Sequence, residues 1–237
     1  MDMSAILTAA KRANAAYLMQ EADSRAAFEA LGDTWIAMYQ NASHQAVLSA
    51  CPNGETHLSI SGTRASAFKF LDVFADMSLE PAPVSGGTVT RGVVEGVQEM
   101  WNWVFAVIPS NEVVNVAGHS LGGARTHLTP VYLPLHQIGT LASFEAPKFA
   151  QADFYASHAE ALAGMACVLN GSDLWASWPW RNVEWNARPL AQHYWLLDDS
   201  GAFMMIDGNE WGGGADADDH DITRVIARLE AAVRGTQ

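Results

Sequence analysis

Apolar residues recur along the chain with two different spacings, which predicts a protein that contains both helices and strands. Apolar positions three or four residues apart predict helices over residues 4–20, 22–31, 89–107, 151–163 and 222–233. Short runs rich in β-branched and aromatic residues, bounded by turn residues, predict strands over residues 35–39, 46–50, 56–61, 113–117, 138–144, 165–169, 192–197 and 202–206. Residues 64–77 form a mixed apolar stretch, and a proline-bearing loop over 80–88 follows it.

The order of these elements predicts the fold class. The first three strands are joined by short turns, one of them Cys51-Pro52-Asn53-Gly54, which favours an antiparallel meander. The later strands alternate with helices, which favours a mostly parallel sheet with helices on both faces. We therefore expect an α/β protein with a mixed, mostly parallel central sheet. No repeat or linker divides residues 1–237, so we expect a single domain with an N-terminal helical segment at about 1–31.

Composition narrows the possible functions. The 237 residues are 49% hydrophobic and 16% charged, values typical of a folded globular domain. The net charge of −13 makes binding to nucleic acid or to an anionic membrane through bulk electrostatics unfavourable. No window approaches 18 consecutive apolar residues, so no transmembrane segment is predicted.

The N-terminus and the cysteines give weak indications of cellular location and redox state. The N-terminus lacks the basic-then-apolar order of a signal peptide, so a cytoplasmic location is the default expectation, although export without such a peptide leaves no mark. The two cysteines, Cys51 and Cys167, are too few for a disulfide framework, and the sequence leaves open whether they are bridged.

The most informative segment is 113–124, where an apolar strand leads through Gly118-His119-Ser120-Leu121-Gly122 into a small-residue helix. Gly-x-Ser-x-Gly between a strand and a helix is the pattern of a nucleophile elbow, which exposes the serine on a tight turn. The start of the following helix would supply backbone N–H groups to a developing oxyanion. Ser120 is therefore the candidate nucleophile.

A serine nucleophile needs a histidine base and a carboxylate to orient that base. Of the eight histidines, only His193 and His220 follow the serine in suitable places. We favour His220, because it lies in a loop directly before the last amphipathic helix, whereas His193 begins a strand. For the acid we favour Asp173, in the loop after the 165–169 strand. Asp198 and Asp199 are the competitors, in a turn between paired strands.

Ordered blocks over most of residues 45–232 resemble the class 3 lipase family of the α/β-hydrolase fold, which includes fungal triacylglycerol lipases. The matching segments are Ser61-Gly62-Thr63-Arg64, Ala117-Gly118-His119-Ser120-Leu121-Gly122-Gly123-Ala124, Phe144-Glu145-Ala146-Pro147-Lys148, Asn170-Gly171-Ser172-Asp173 with Pro179 behind it, and His220-Asp221-Ile222. The third segment is similar to a Phe-Gly-Ala-Pro-Arg pattern of the family.

The resemblance implies Ser120 as nucleophile, Asp173 as acid and His220 as base, in agreement with the order argument. It also implies that Thr63 and the backbone N–H of Leu121 form the oxyanion hole. Residues 65–75 would take the place of the family's lid, with Phe68, Phe70, Leu71 and Phe74 as its apolar cover, although an ordinary core helix explains them equally well.

Three features depart from the family pattern and bear on substrate range and on the lid. Ser61 stands where an arginine precedes the Gly-Thr pair, the His-x-Gly-Phe block reads Thr90-Arg91-Gly92-Val93, and prolines at 130 and 134 shorten the helix behind the elbow. The tryptophans at 175, 178, 180 and 185 crowd the segment after Asp173, either as core packing or as an aromatic wall for an acyl chain.

The resulting expectation is a serine lipase or esterase that cleaves lipid or other acyl esters through an acyl-enzyme. The small-molecule ester would be its partner, together with transient contact with a lipid interface. No metal spacing or glycine-rich phosphate loop occurs, so we expect no cofactor. The alternatives are a phospholipase or other acyl-bond hydrolase of this fold, and a catalytically silent binding module.

Overall fold

The strands assemble into one mixed sheet with a parallel centre. The computed structural model describes residues 1–41, 44–63, 78–180 and 182–235. Within them, eight strands form the sheet in the order β1-β2-β3-β6-β7-β8-β9-β10. The strands of this sheet are β1 Thr34–Gln40, β2 Gln45–Ala50, β3 Thr56–Ile60, β6 Val114–His119, β7 Ile138–Phe144, β8 Ala166–Asn170, β9 Gln192–Leu196 and β10 Phe203–Ile206. Strands β3, β6, β7, β8 and β9 pair in parallel, while β1, β2 and β10 pair antiparallel at the two edges. The predicted mixed, mostly parallel sheet is confirmed.

Helices cover both faces of the sheet. The α-helices are α1 Met3–Ala15, α2 Glu21–Ala30, α3 Arg91–Val94, α4 Val97–Val107, α5 Leu121–Thr126, α6 Thr129–Tyr132, α7 Ala152–Ser157, α8 Ala159–Leu162 and α9 Ile222–Gly235. No helix of the described residues has both the length and the apolarity needed to cross a bilayer.

The sheet separates two hydrophobic cores. On one face, α1 and α9 pack together against the sheet through residues such as Ile6, Val225 and Leu229. On the other face, α4 contributes Met100, Trp101 and Val104 to the larger core. The terminal helices are also joined by an ion pair between Lys11 Nζ and Glu230 Oε1, at 2.7 Å. Both ends of the chain are thereby fixed on the same side of the sheet.

Three predicted elements differ from the structure. The predicted 89–107 helix is two helices, α3 and α4, because Gly96 adopts a left-handed φ of 71° between them. Thr90 and the residues before it belong instead to a two-stranded antiparallel ribbon, β4 Pro81–Val84 with β5 Gly87–Thr90, in the region predicted as loop. The predicted 151–163 helix is interrupted at His158, whose Nε2 lies 2.8 Å from the carbonyl oxygen of Ser85.

The first predicted helix, 4–20, is shorter than expected, since α1 ends at Ala15 and the chain turns at Tyr17. The cysteines are not bridged: Cys51 and Cys167 are free thiols, and burial raises the pKa of Cys167 to about 11.

His127 is buried behind the elbow helix and held neutral by its surroundings. Its Nε2 lies 3.1 Å from Ser143 Oγ and its Nδ1 lies 3.3 Å from the Tyr155 hydroxyl. Burial, followed by the nearby His193 and Arg188, lowers the pKa of His127 to about 3. Below about pH 6.5, His127 is therefore protonated in the unfolded chain but stays neutral in the folded chain until a much lower pH.

We predict that His127→Gln reduces the acid sensitivity of folding. Because the folded-state pKa is lowered, acidification from pH 7.5 to pH 5 favours the unfolded wild-type chain, by about 2 kcal/mol from this histidine. Urea unfolding at the two pH values would measure the change. Between pH 7.5 and pH 5, the free energy of unfolding should decrease less in His127→Gln than in the wild type. An equal decrease in both proteins would contradict the prediction.

Candidate active site

Ser120 occupies a strained turn at the carboxyl end of β6. It adopts φ 56° and ψ −126° between the last residue of β6 and the first of α5. That backbone region is unfavourable for any residue with a Cβ. Close packing enforces it: a Cβ at Gly118 would overlap Gly122, and a Cβ at Gly122 would overlap the Ile60 carbonyl. The glycines of the elbow pattern are therefore required by backbone contacts between the turn and its neighbouring strand.

The structure brings Ser120, His220 and Asp173 into one chain of hydrogen bonds. His220 Nε2 lies 2.8 Å from Ser120 Oγ, and His220 Nδ1 lies 2.8 Å from Asp173 Oδ2. All three side chains are buried. The serine hydroxyl can donate to Nε2 while Nδ1–H donates to the carboxylate, which is the tautomer that a general base requires.

The loops that carry Asp173 and His220 are tied to each other. Asp173 Oδ1 accepts a hydrogen bond from the Trp175 backbone N–H at 2.8 Å, which orients its carboxylate. Between the loops, Asn170 Nδ2 donates to the Asp219 carbonyl oxygen at 2.7 Å, and Arg228 Nη1 donates to Asn170 Oδ1 at 2.7 Å. Arg228 Nη1 also lies 3.0 Å from Asp219 Oδ1. These contacts fix the separation of acid and base.

The competing residues lie in other contacts. His193 is buried on β9 with Nδ1 3.1 Å from the Ala191 carbonyl oxygen. Burial and the charge of Arg188 lower its pKa to about 4, so it is neutral at physiological pH. Asp198 accepts hydrogen bonds from Ser200, and Asp199 pairs with Arg228 Nε at 2.8 Å.

The two residues expected to form the oxyanion hole lie in segments that meet at Ser120. Leu121 follows it directly and begins α5. Thr63 follows Gly62 in the segment after β3, and a Cβ on Gly62 would lie 2.7 Å from Ser120 Cβ and 2.8 Å from the His119 carbonyl oxygen. The absence of a side chain at Gly62 lets this segment pack against the elbow. Residues 65–75, expected in the place of a lid, lie outside the described residues, as does Arg64.

Three further residues, which the sequence analysis did not assign to the site, lie around it. The Tyr17 hydroxyl lies 2.6 Å from His119 Nδ1 and accepts a hydrogen bond from the Gly62 backbone N–H at 2.9 Å. His119 Nε2 lies 2.9 Å from Glu145 Oε2. Glu145 gave one signal in the sequence, since it replaces glycine in the Phe-Gly-Ala-Pro-Arg pattern; Tyr17 gave none, because it falls in a plain helical pattern.

The tryptophans after Asp173 are mostly inside the protein. Trp175, Trp178 and Trp185 are buried, and the first two pack with Leu79 and Leu174. Trp180 is 44% exposed, so it is the member of this group able to meet a ligand or an interface.

Within the described residues, two groups of side chains have metal-ligand chemistry, but their contacts argue against metal binding. In the group of His119, Glu145 and His220, the ring nitrogens of both histidines are already used in the hydrogen bonds described above. In the group of Cys51, Glu55 and His57, Arg12 Nη1 lies 3.5 Å from His57 Nδ1. Because a guanidinium can only donate, this contact puts the ring proton on Nε2, the nitrogen that faces Glu55.

We predict that Ser120→Gly is more stable than Ser120→Ala by about 1 kcal/mol, because only glycine is relaxed at a positive φ. Both substitutions remove the hydrogen bond to His220, and we expect the strain that alanine keeps to outweigh the larger conformational entropy that glycine loses on folding. Urea unfolding of the two variants would measure it. An alanine variant of equal or greater stability would show that the turn is unstrained.

Comparisons with known proteins agree with this architecture. No protein-family model and no curated protein sequence matches the chain. Solved structures do: lipase II from Rhizopus niveus superposes with a TM-score of 0.73 at 14% identity, covering 92% of each chain. A triacylglyceride lipase from Rhizomucor miehei gives a TM-score of 0.68 at 17% identity, covering 92% of this chain and 91% of the other. A triacylglycerol lipase from Penicillium expansum gives 0.65 at 17% identity, covering 88% and 86%. The chain therefore has the α/β-hydrolase fold of the fungal triacylglycerol lipases.

Proposed function

We propose that this protein is a serine carboxylic-ester hydrolase of the lipase or esterase type. The observation that carries the proposal is the chain of hydrogen bonds from Ser120 Oγ through His220 to Asp173, in which both distances are 2.8 Å. A serine is a weak nucleophile by itself, and this arrangement supplies the base and the orienting carboxylate that it needs. The fold shared with fungal lipases supports the same conclusion.

Acylation would begin when His220 Nε2 accepts the Ser120 proton as Oγ attacks the ester carbonyl. Asp173 holds the imidazole through Nδ1–H and stabilises the imidazolium that forms. The carbonyl oxygen becomes an oxyanion, for which the backbone N–H groups of Leu121 and Thr63 and the Thr63 hydroxyl are the candidate donors. The imidazolium then protonates the leaving alcohol, and the acyl group remains on Ser120.

Deacylation repeats these steps with water. His220 takes a proton from the water molecule, whose oxygen attacks the acyl carbonyl, and the second tetrahedral intermediate expels Ser120 Oγ. The proton returns to the serine and the carboxylic acid is released. This regenerates the free enzyme, and His220 transfers the proton in every step.

A lipid or long-chain ester fits the surroundings of the acid loop best. Trp175, Trp178, Leu79 and Leu174 form an apolar cluster next to Asp173. Trp180 is exposed beside that cluster, and amphipathic aromatic side chains are suited to contact with a lipid interface. We infer that Trp180, supported by this cluster, is the side chain that meets an acyl chain or a lipid interface on this side of the site.

We predict that the wild-type protein hydrolyses p-nitrophenyl esters and that Ser120→Ala lowers kcat by at least about 10⁴-fold. A series of acyl chains from short to long would separate an esterase from a lipase. Matching thermal unfolding would show that the variant is folded. Undiminished turnover in folded Ser120→Ala would contradict the mechanism, and a wild type inactive on every chain length would favour a specialised acyl substrate or a silent binding module.

We also predict that His220→Ala is far more damaging than His193→Ala. Loss of His220 removes the base, at a cost of about 10⁴-fold or more in kcat, whereas His193 Nδ1 faces the Ala191 carbonyl oxygen and has no contact with Ser120 or Asp173 among its hydrogen bonds. Steady-state kinetics on one p-nitrophenyl ester would compare the two variants. If His193→Ala lowered kcat more than His220→Ala, the base would be His193.

A further inference from the structure

Glu145 is an unusual residue for its position. It is fully buried at the carboxyl end of β7 and adopts φ 53°, a backbone conformation that favours glycine. Both the buried carboxyl group and the left-handed backbone are unfavourable for folding. A residue that is costly in two independent ways calls for a compensating role. Its Oε2 atom lies 2.9 Å from His119 Nε2, beside the catalytic group proposed above.

The hydrogen bonds around His119 have only one possible direction. At one end, the Gly62 backbone N–H must donate, so the Tyr17 oxygen accepts it, at 2.9 Å. The Tyr17 hydroxyl then donates to His119 Nδ1, at 2.6 Å. At the other end, the His220 carbonyl oxygen must accept, so His119 Nε2 carries the proton and faces that oxygen at 3.1 Å. Glu145 Oε2 receives the same N–H. The His220 carbonyl thus places the proton of the neutral His119 ring on Nε2, which leaves Nδ1 to accept from the Tyr17 hydroxyl.

This chain of hydrogen bonds joins the two sides of Ser120. Gly62 directly precedes Thr63, the candidate oxyanion donor, and packs against Ser120 Cβ. The His220 carbonyl belongs to the residue proposed as base. The rings of His119 and His220 are 5.0 Å apart, which leaves His119 packed directly behind the base. Displacement of His119 would therefore disturb both the oxyanion segment and the base.

We propose that Glu145 is a positioning residue, which holds His119 in place so that His119 and Tyr17 keep the oxyanion segment and His220 in register with Ser120. The inference rests on the proposed hydrolase function and goes beyond the Ser120–His220–Asp173 group. Glu145 acts through His119 and does not touch the reacting atoms.

The electrostatic surroundings indicate which substitutions are conservative. Burial, followed by the charges of Asp173 and Asp219, raises the pKa of Glu145 well above its usual value. Asp221 adds to this effect, and the imidazoles of His119 and His220 also face this region. Because Oε2 accepts the His119 N–H whether or not the carboxyl group is ionised, glutamine can replace glutamate with its amide oxygen in the same place.

The first test compares Glu145→Gln with Glu145→Gly. Glycine relieves the backbone at φ 53° and removes the buried carboxyl, so a purely structural role predicts a stable and fully active variant. We expect Glu145→Gly to melt no lower than wild type yet to lose about tenfold to hundredfold in kcat, with KM changed less than kcat. We expect Glu145→Gln to keep kcat within about threefold of wild type, since its amide oxygen restores the hydrogen bond.

The second test asks whether Glu145 and Tyr17 act on the same residue. Tyr17→Phe removes the hydroxyl that bridges Gly62 and His119. If both act through His119, the loss of kcat in Tyr17→Phe/Glu145→Gly will be close to the larger single loss and well below the product of the two. Tyr132→Phe is the matched control. Tyr132 stacks on Trp101 and takes no part in the hydrogen bonds around His119, so its substitution should leave kcat unchanged.

The outcomes separate this inference from the proposed function. Wild-type activity that disappears in Ser120→Ala establishes the hydrolase independently of Glu145. Given that activity, wild-type kcat in folded Glu145→Gly would overturn the positioning role, and so would equal losses in the glycine and glutamine variants. A multiplicative double variant would overturn the shared action through His119.

Discussion

The active site depends on a steric constraint: three backbone segments meet at Ser120 with no room for side chains between them. Gly118 and Gly122 allow the turn to close on itself and on the end of β3, and Gly62 allows the next segment to pack against Ser120. The strained φ of Ser120 is a consequence of this packing. The geometry of the serine is set by contacts within the turn and with the ends of β3 and β7, and these strands bear the strain of the turn.

The remaining members of the site are held by polar contacts between loops. Asn170, Asp219 and Arg228 tie the loop of Asp173 to that of His220, and Arg228 extends this support to the last helix. The arrangement places precisely oriented side chains on loops whose positions are fixed by buried charged and amide groups. The proposed acid and base therefore share one supporting network, whereas Ser120 is supported by backbone packing.

Local signals predicted much of this protein, and long-range contacts explain the rest. The elbow strand and the last helix have strong periodicity and clear turn residues, so their positions could be predicted. The break at Gly96 could not, because it accompanies a contact between the Glu95 carbonyl and His44, 51 residues earlier. Tyr17 was equally hidden, since its place in a helical pattern carries no sign that its hydroxyl lies beside an elbow 102 residues away.

These sequence separations have a consequence for how the protein folds. Tyr17 and His119 are 102 residues apart, and His119 and His220 are 101 residues apart, so the site joins the beginning, middle and end of the chain. Contacts between residues so far apart in sequence have a loop-closure entropy cost, and folds rich in them form slowly. During synthesis the elbow emerges long before α9 and His220, so a nascent chain contains the proposed nucleophile without the proposed base. The proposed chemistry requires that the C-terminal segment has docked beside the N-terminal helix.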